Sequence, residues 1–180
     1  MSSITLYETT VGLYISALES LKVILQKAKE YAPEESTSYP SLRLYEDMLP
    51  FSFQIQTTSN IAKKALQRLV PEKGPFPVWE DNETTMDELI ARVDKTLALL
   101  KTIKPEDLAG REANILEIKL GPNGGSATAE AKGYALGYAL PNIFFHLTTA
   151  YAILRSKGVP LGKRTYLNSF FEPVVLSVEE

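Results

Sequence analysis

The sequence predicts an all-α fold, a four-helix bundle with a small β-hairpin inserted before the last helix. Three observations predict it. Four long segments repeat apolar residues at alternating steps of four and three, which keeps those side chains on one stripe of a helix. Proline- and glycine-rich stretches separate the segments. Between the third and fourth segments the period falls to two, the signature of paired strands.

The first helix is expected over residues 4–32, where Tyr7, Val11, Tyr14, Leu18, Leu21, Leu25 and Ala28 form the stripe and Pro33 ends it. The second is expected from about 45–47 to 70, with Phe51, Ile55, Thr58, Ala62, Ala65 and Leu69 buried and Pro50 inside its first turn. Prolines at 71, 75 and 77 forbid a helix in the connector that follows. Its Phe76, Val78 and Trp79 suggest a strap lying across the bundle. Thr85 and Glu88 have the spacing of a capping box, so the third helix starts there; Met86, Ile90, Val93, Leu97 and Leu100 form its stripe, and Pro105 stops it.

Leu116-Glu117-Ile118-Lys119-Leu120 and Ser126-Ala127-Thr128-Ala129-Glu130-Ala131 read as two strands, with Gly121-Pro122-Asn123-Gly124-Gly125 as their turn. That turn is not a phosphate loop, because no Gly-Lys-Ser/Thr follows. A fourth helix over about 133–157, kinked at Pro141, ends at Gly158 and Pro160. The apolar tail from residue 161, with Phe170, Phe171, Val174 and Val175, should cover the bundle or a neighbouring chain. No repeat divides the chain, and 180 residues bury roughly 70% of the unfolded surface, so residues 1–180 read as a single domain.

Composition excludes several function classes. Without cysteine there is no disulfide framework, thiolate zinc site or cysteine nucleophile. His146 is the one histidine, so one chain cannot build a site from two imidazoles. A net charge of −3 argues against nucleic acid as a partner. No apolar run reaches the length of a membrane span, and the start Met1-Ser2-Ser3-Ile4-Thr5 is not a signal peptide, so a cytoplasmic location and no membrane partner are expected.

The fourth helix carries the candidate site. At about 100° per residue, Ala135, Tyr138, Ala139, Asn142, His146, Thr149, Ala150 and Ile153 share one side. Small residues make room and buried polar ones need partners, so this stripe suggests a polar-lined cavity between helices. It also reads as ordinary core with one satisfied histidine, Asn142 serving backbone carbonyls freed by Pro141. Gln54 on the second helix and Tyr14 on the first could reach the same space; Asn60 projects away from it. The carboxylate pairs Glu34-Glu35 and Glu106-Asp107 and the cation pairs Lys63-Lys64 and Lys163-Arg164 read as solvated. The opposite face, Leu140, Phe144, Tyr151 and the stem of Arg155, needs a cover from the tail or from a second subunit.

The run Asn142-Ile143-Phe144-Phe145-His146-Leu147-Thr148-Thr149-Ala150-Tyr151-Ala152-Ile153-Leu154-Arg155, with Gly158-Val159-Pro160-Leu161-Gly162-Lys163 after it, resembles an uncharacterised branch of the DinB-like four-helix bundles. Glu46-Asp47-Met48-Leu49-Pro50, Gln54 and the hairpin extend the resemblance to about Leu167. Metal-binding members of that superfamily, among them thiol-dependent transferases and hydrolases, hold a divalent metal with three histidines: one from the second helix and a His-x-x-x-His pair from the fourth. The resemblance sets His146 on the second of that pair, Asn142 in place of the first and Gln54 at the second-helix position. Neutral amides are weak ligands for such metals, so no metal and no cofactor are expected.

Three functions remain open. One is a metal-free small-molecule protein taking an apolar or carbonyl-bearing molecule. As a cofactor-independent isomerase, cyclase or lyase it would use His146 and Tyr138 as catalytic groups, with Asn142, Gln54, Thr149 and Tyr14 binding the ligand. The second is a non-catalytic binding or dimerisation module, a homodimer through Phe144 and Tyr151. The third is a residual metal-dependent transferase or hydrolase.

Overall fold

The computed structural model describes residues 4–119 and 124–175. A π-helical turn at Glu8–Gly12 leads into α1 (Leu13–Tyr31), a 3-10 segment at Glu35–Ser41 follows, and α2 spans Phe51–Leu69. α3 (Met86–Leu100) and the one-turn α4 (Pro105–Leu108) precede strands β1 (Ile115–Lys119) and β2 (Ser126–Glu130). The one-turn α5 (Ala131–Tyr134) passes through a π-helical turn at Ala135–Ala139 into α6 (Leu140–Ser156), and α7 (Lys163–Phe171) comes last.

α1, α2, α3 and α6 form the bundle. α3 and α6 each pack against both α1 and α2, which therefore stand diagonally opposite. Glu19–Lys101, Lys22–Asp94 and Lys29–Asp87 pair in opposite chain order, so α1 and α3 run antiparallel. Gln54–His146 and Arg68–Tyr134 show the same for α2 and the continuous run from α5 into α6. Residues 32–50 make the diagonal crossover.

The expected stripes form the core. Val11, Tyr14, Leu18, Leu21, Leu25 and Ala28 of the first helical segment are buried, as are Phe51, Ile55, Ala62, Ala65 and Leu69 of α2. Burying each large apolar side chain stabilises the fold by about 1.5–3 kcal/mol. The Thr85 capping box closes as predicted: Thr85 Oγ1 accepts from the Glu88 N–H at 3.2 Å, and the Glu88 carboxylate accepts from the Thr85 N–H at 3.0 Å. The strands are antiparallel with Leu116 opposite Ala129 and Ile118 opposite Ala127. Leu116 and Ile118 are buried while their odd-numbered neighbours are exposed. Most of the predicted turn, residues 121–123, lies outside the described residues, as do residues 1–3 and 176–180.

Four expectations need correction. Lys63 is buried rather than solvated, its ammonium lying over the Trp79 ring. α2 begins at Phe51 rather than near 45–47: Pro50 is its N-cap, in extended conformation, and a proline disfavours helical backbone at the residue before it. Asn60 does not project away but joins a polar network described below. The core stripe of the last long helix is Ala139, Ile143, Leu147, Ala150, Ile153 and Leu154; it shares Ala139, Ala150 and Ile153 with the expected side but is centred roughly 60° round from it at 100° per residue. The π-helical turn at Ala135–Ala139, just ahead of Pro141, holds an extra residue and shifts the phase upstream. The polar residues therefore lie on the flank facing α2 and not on the bundle axis.

The tail supplies the cover for the other flank. Phe170 meets Phe144 edge-on at 5.7 Å, Tyr166 meets Tyr151 at 6.2 Å, and the Tyr151 hydroxyl donates to the Leu161 carbonyl at 3.1 Å. α7 packs along α1, where Ser20 Oγ donates to the Tyr166 carbonyl at 2.8 Å. No helix among the described residues is long and apolar enough to cross a membrane.

Candidate functional site

The antiparallel packing of α2 on α6 brings Gln54 and His146 together across 92 residues of sequence, with Gln54 Oε1 2.7 Å from His146 Nδ1. Gln54 is buried and its orientation is determined locally. Its Nε2 donates to the carbonyls of Leu49 and Pro50, at 3.0 and 3.3 Å, in the extended segment that leads into α2. The Oε1 facing the imidazole can then only accept, so Nδ1 carries a proton in either charge state. In the neutral ring Nε2 keeps its lone pair. It takes no hydrogen bond among the described residues, and it is not one of the buried atoms left without a partner.

The half-buried ring is enclosed by aromatics, Phe53 edge-on at 5.9 Å and Phe145 at 5.2 Å. Burial among them lowers the His146 pKa, because the imidazolium loses hydration that no nearby carboxylate replaces. The resting ring is a neutral base with one fixed tautomer.

Beyond Phe53 the seam between α2 and α6 opens into a cleft of about 380 Å³. Phe53, Lys64 and Arg68 line it from α2, Tyr138 and Asn142 from the other wall. Tyr134, mostly buried, accepts a hydrogen bond from Arg68 Nη1 at 2.8 Å and stacks against Tyr138 at 5.7 Å. Asn142 Nδ2 donates to the Tyr138 carbonyl at 2.8 Å, which leaves its second amide hydrogen and its Oδ1 uncommitted among the described residues.

The sequence-predicted site residues thus distribute over four places. Gln54 and His146 pair; Asn142 and Tyr138 line the cleft one and two turns away. Thr149 is buried, its hydroxyl donating to the Phe145 carbonyl at 2.7 Å, beside a separate apolar groove at Leu44 and Phe145. Tyr14 lies fully buried in the core, its hydroxyl unpartnered and its phenol pKa pushed up by desolvation.

Two sets of residues escape the sequence reading. Lys64 and Arg68, one turn apart on α2, reach the cleft; their spacing is visible, but only the antiparallel α6 shows what they face. Arg92 of α3 is fully buried. It donates to Ser59 Oγ, the Glu80 carbonyl, Glu83, Asn60 and Asp81, all between 2.8 and 2.9 Å. A charged residue beside Val93 at the core phase of α3 is the one sequence signal for it.

The donor set does not fit a metal. Gln54 Oε1 and His146 Nδ1 are spent on each other, Asn142 turns to the backbone, and no three acidic or histidine side chains converge among the described residues. One imidazole nitrogen remains, too few donors for a zinc-type site.

The model of a family described as a domain of unknown function, DUF1993, matches residues 6–167. The chain belongs to that family. The DUF1993 chain is also similar to a solved structure, the crystal structure of a DinB family member protein from Shewanella denitrificans at 1.83 Å resolution. The two share 32% identity with a TM-score of 0.80, covering 90% of this chain and 91% of that one. DUF1993 here is therefore a DinB-like helical bundle with a two-stranded hairpin. No curated protein matches the chain.

Proposed function

We propose that this DUF1993 protein binds a small carbonyl-bearing molecule at the α2–α6 seam and uses His146 as an acid–base group, without metal or cofactor. The Gln54–His146 pair at 2.7 Å carries the reading. An imidazole held in one tautomer, with a lowered pKa and an accessible Nε2, is poised to accept a proton near neutral pH. Its Nε2 would take a proton from the carbon beside the ligand's carbonyl while the electron pair moves onto the carbonyl oxygen. In a ligand whose next bond is a carbon–carbon double bond, returning that proton at the far end of the double bond, as the electron pair leaves the oxygen to re-form the carbonyl, moves the double bond into conjugation and completes an isomerisation. Asn142 has an amide hydrogen to spare for the oxygen, and Tyr138, 45% exposed, has a hydroxyl within the same cleft.

Native mass spectrometry of the purified protein, with His146→Ala and Asn142→Ala beside it, tests the reading. A small molecule that accompanies the wild type and is lost from the folded variants is the expected result. A wild type that carries no such molecule, and whose His146 Nε2 resonance responds to none of a panel of small ketones and aldehydes, overturns it.

A further inference from the structure

The charge lining the cleft is one-sided, although the chain as a whole is acidic at −3. Lys64, Arg68 and Lys119 line it, and none of the three has a carboxylate within ion-pair distance among the described residues. Some cations elsewhere find one, as Lys22 does with Asp94 at 2.6 Å and Lys132 with Glu130 at 3.0 Å, and others such as Lys27 and Lys157 do not among the described residues, so it is the convergence of three on one cleft that sets these apart. The one carboxylate on the cleft wall is Asp81, and its charge is already answered from behind. Buried Arg92 Nη2 donates to it at 2.8 Å, and Asn60 Nδ2 donates to both of its oxygens at 3.0 and 2.9 Å. Three cations therefore face one cleft with no anion to match them.

The geometry points to a small organic anion as the ligand: a carboxylate or phosphate on an aromatic or apolar body. Lys64 and Arg68, one turn apart on α2, would hold the anionic end, and Phe53 and Tyr138 would receive the body. The Arg68 guanidinium is already oriented, lying 5.1 Å from the centre of the Tyr134 ring while Nη1 holds the Tyr134 hydroxyl. Its other N–H groups stay available, so little side-chain entropy is lost on binding. A cleft of about 380 Å³ suits a small metabolite, and an acidic chain with three clustered cations offers no footprint for nucleic acid. This inference rests on the seam being a small-molecule site and adds the class of molecule.

Three probes of similar shape test it on the full chain: benzoate, phenyl phosphate and benzamide, followed by amide shifts in two-dimensional NMR. Benzoate, phenyl phosphate or both should shift amides near Lys64, Arg68 and Tyr138 saturably, and benzamide should bind at least about tenfold more weakly. Which anion binds tells the carboxylate source from the phosphate source. Lys64→Gln, an exposed change, should weaken the bound anion several-fold, and added salt should do the same. Arg68→Gln should act alike; should it unfold the protein by freeing Tyr134, Lys64→Gln carries the test. Equal affinity for benzoate and benzamide, or an unchanged affinity in Lys64→Gln, overturns the anion assignment and leaves the seam as a neutral-ligand site. Shifts from none of the three, or only at residues away from the seam, overturn both.

Discussion

The Arg92 guanidinium donates to the Glu83 carboxylate at 2.9 Å with both side chains buried. The same guanidinium lies 5.4 Å from the centre of the Trp79 ring. Arg92 thus ties the strap between α2 and α3 to the bundle through one fully buried charge. Lys63 and Lys95 approach the same indole at 4.7 and 5.0 Å. Burial, followed by the charge of Arg92, lowers the Lys63 pKa.

Arg92→Met should therefore cost about 3–5 kcal/mol, because it leaves Glu83 buried without its counter-charge. Urea unfolding measures that directly. Trp79, the one tryptophan of the chain, should report the loosened strap by a shift in fluorescence before global unfolding. A loss of less than about 1 kcal/mol would mean that water or Lys95 replaces the guanidinium.

The Glu83 carboxyl gives the same network a pH dependence. Burial alone would raise its pKa, but the hydrogen bonds and charge from Arg92 outweigh that and hold it below the usual value of 4.5. A depressed carboxylate contributes stability that is fully present above the unfolded value and lost as pH falls through the folded one. Unfolding free energy measured from pH 6 to pH 3 should therefore decline below about 4.5, and Glu83→Gln should flatten part of that decline. A slope identical in the variant would place the acid sensitivity elsewhere.

His146 titrates in the same sense for a different reason. Its folded pKa lies below 6.5, since burial disfavours the imidazolium, so between the two values the unfolded chain binds more protons. Stability from this group is complete above 6.5 and falls as pH drops through the folded pKa. The imidazole resonances should show a midpoint under 6.5, and the Nδ1 proton should exchange slowly in wild type but quickly in Gln54→Ala. A midpoint at or above 6.5 would contradict the burial.

Much of the fold is legible in the sequence, because the apolar stripes of α1, α2 and α3 are each uninterrupted α-period. The phase of α6 is less legible, because Ile143, Leu147 and Leu154 on one side and Asn142, His146 and Thr149 on the next both offer a face, and a 100° step does not say which meets the bundle axis. The π-helical turn at Ala135–Ala139 adds a residue ahead of α6 and so resets only where Tyr138 falls relative to Asn142. Gln54 and His146 are recognisable as related positions from the family pattern, but their direct bond depends on Leu49 and Pro50 orienting the amide. Arg92 stays hidden because its carboxylate partners come from an irregular strap that no periodicity describes.

Tyr14 gives the sharpest separation of core from site. Its ring is fully buried on α1, and its hydroxyl has no hydrogen-bond partner. A buried unpaired hydroxyl carries its desolvation cost without return, about 1–3 kcal/mol. Tyr14→Phe removes that cost and keeps the ring, so it should leave stability unchanged or raise it by up to about 1 kcal/mol. Tyr14→Ala should instead lose about 3–5 kcal/mol through the cavity left among Leu18, Leu21 and their neighbours. Thermal and urea unfolding of the pair distinguish these outcomes. A Tyr14→Phe protein that is clearly destabilised would show the hydroxyl to be bonded in solution, to water or to a ligand inside the bundle, and would return Tyr14 to the binding site.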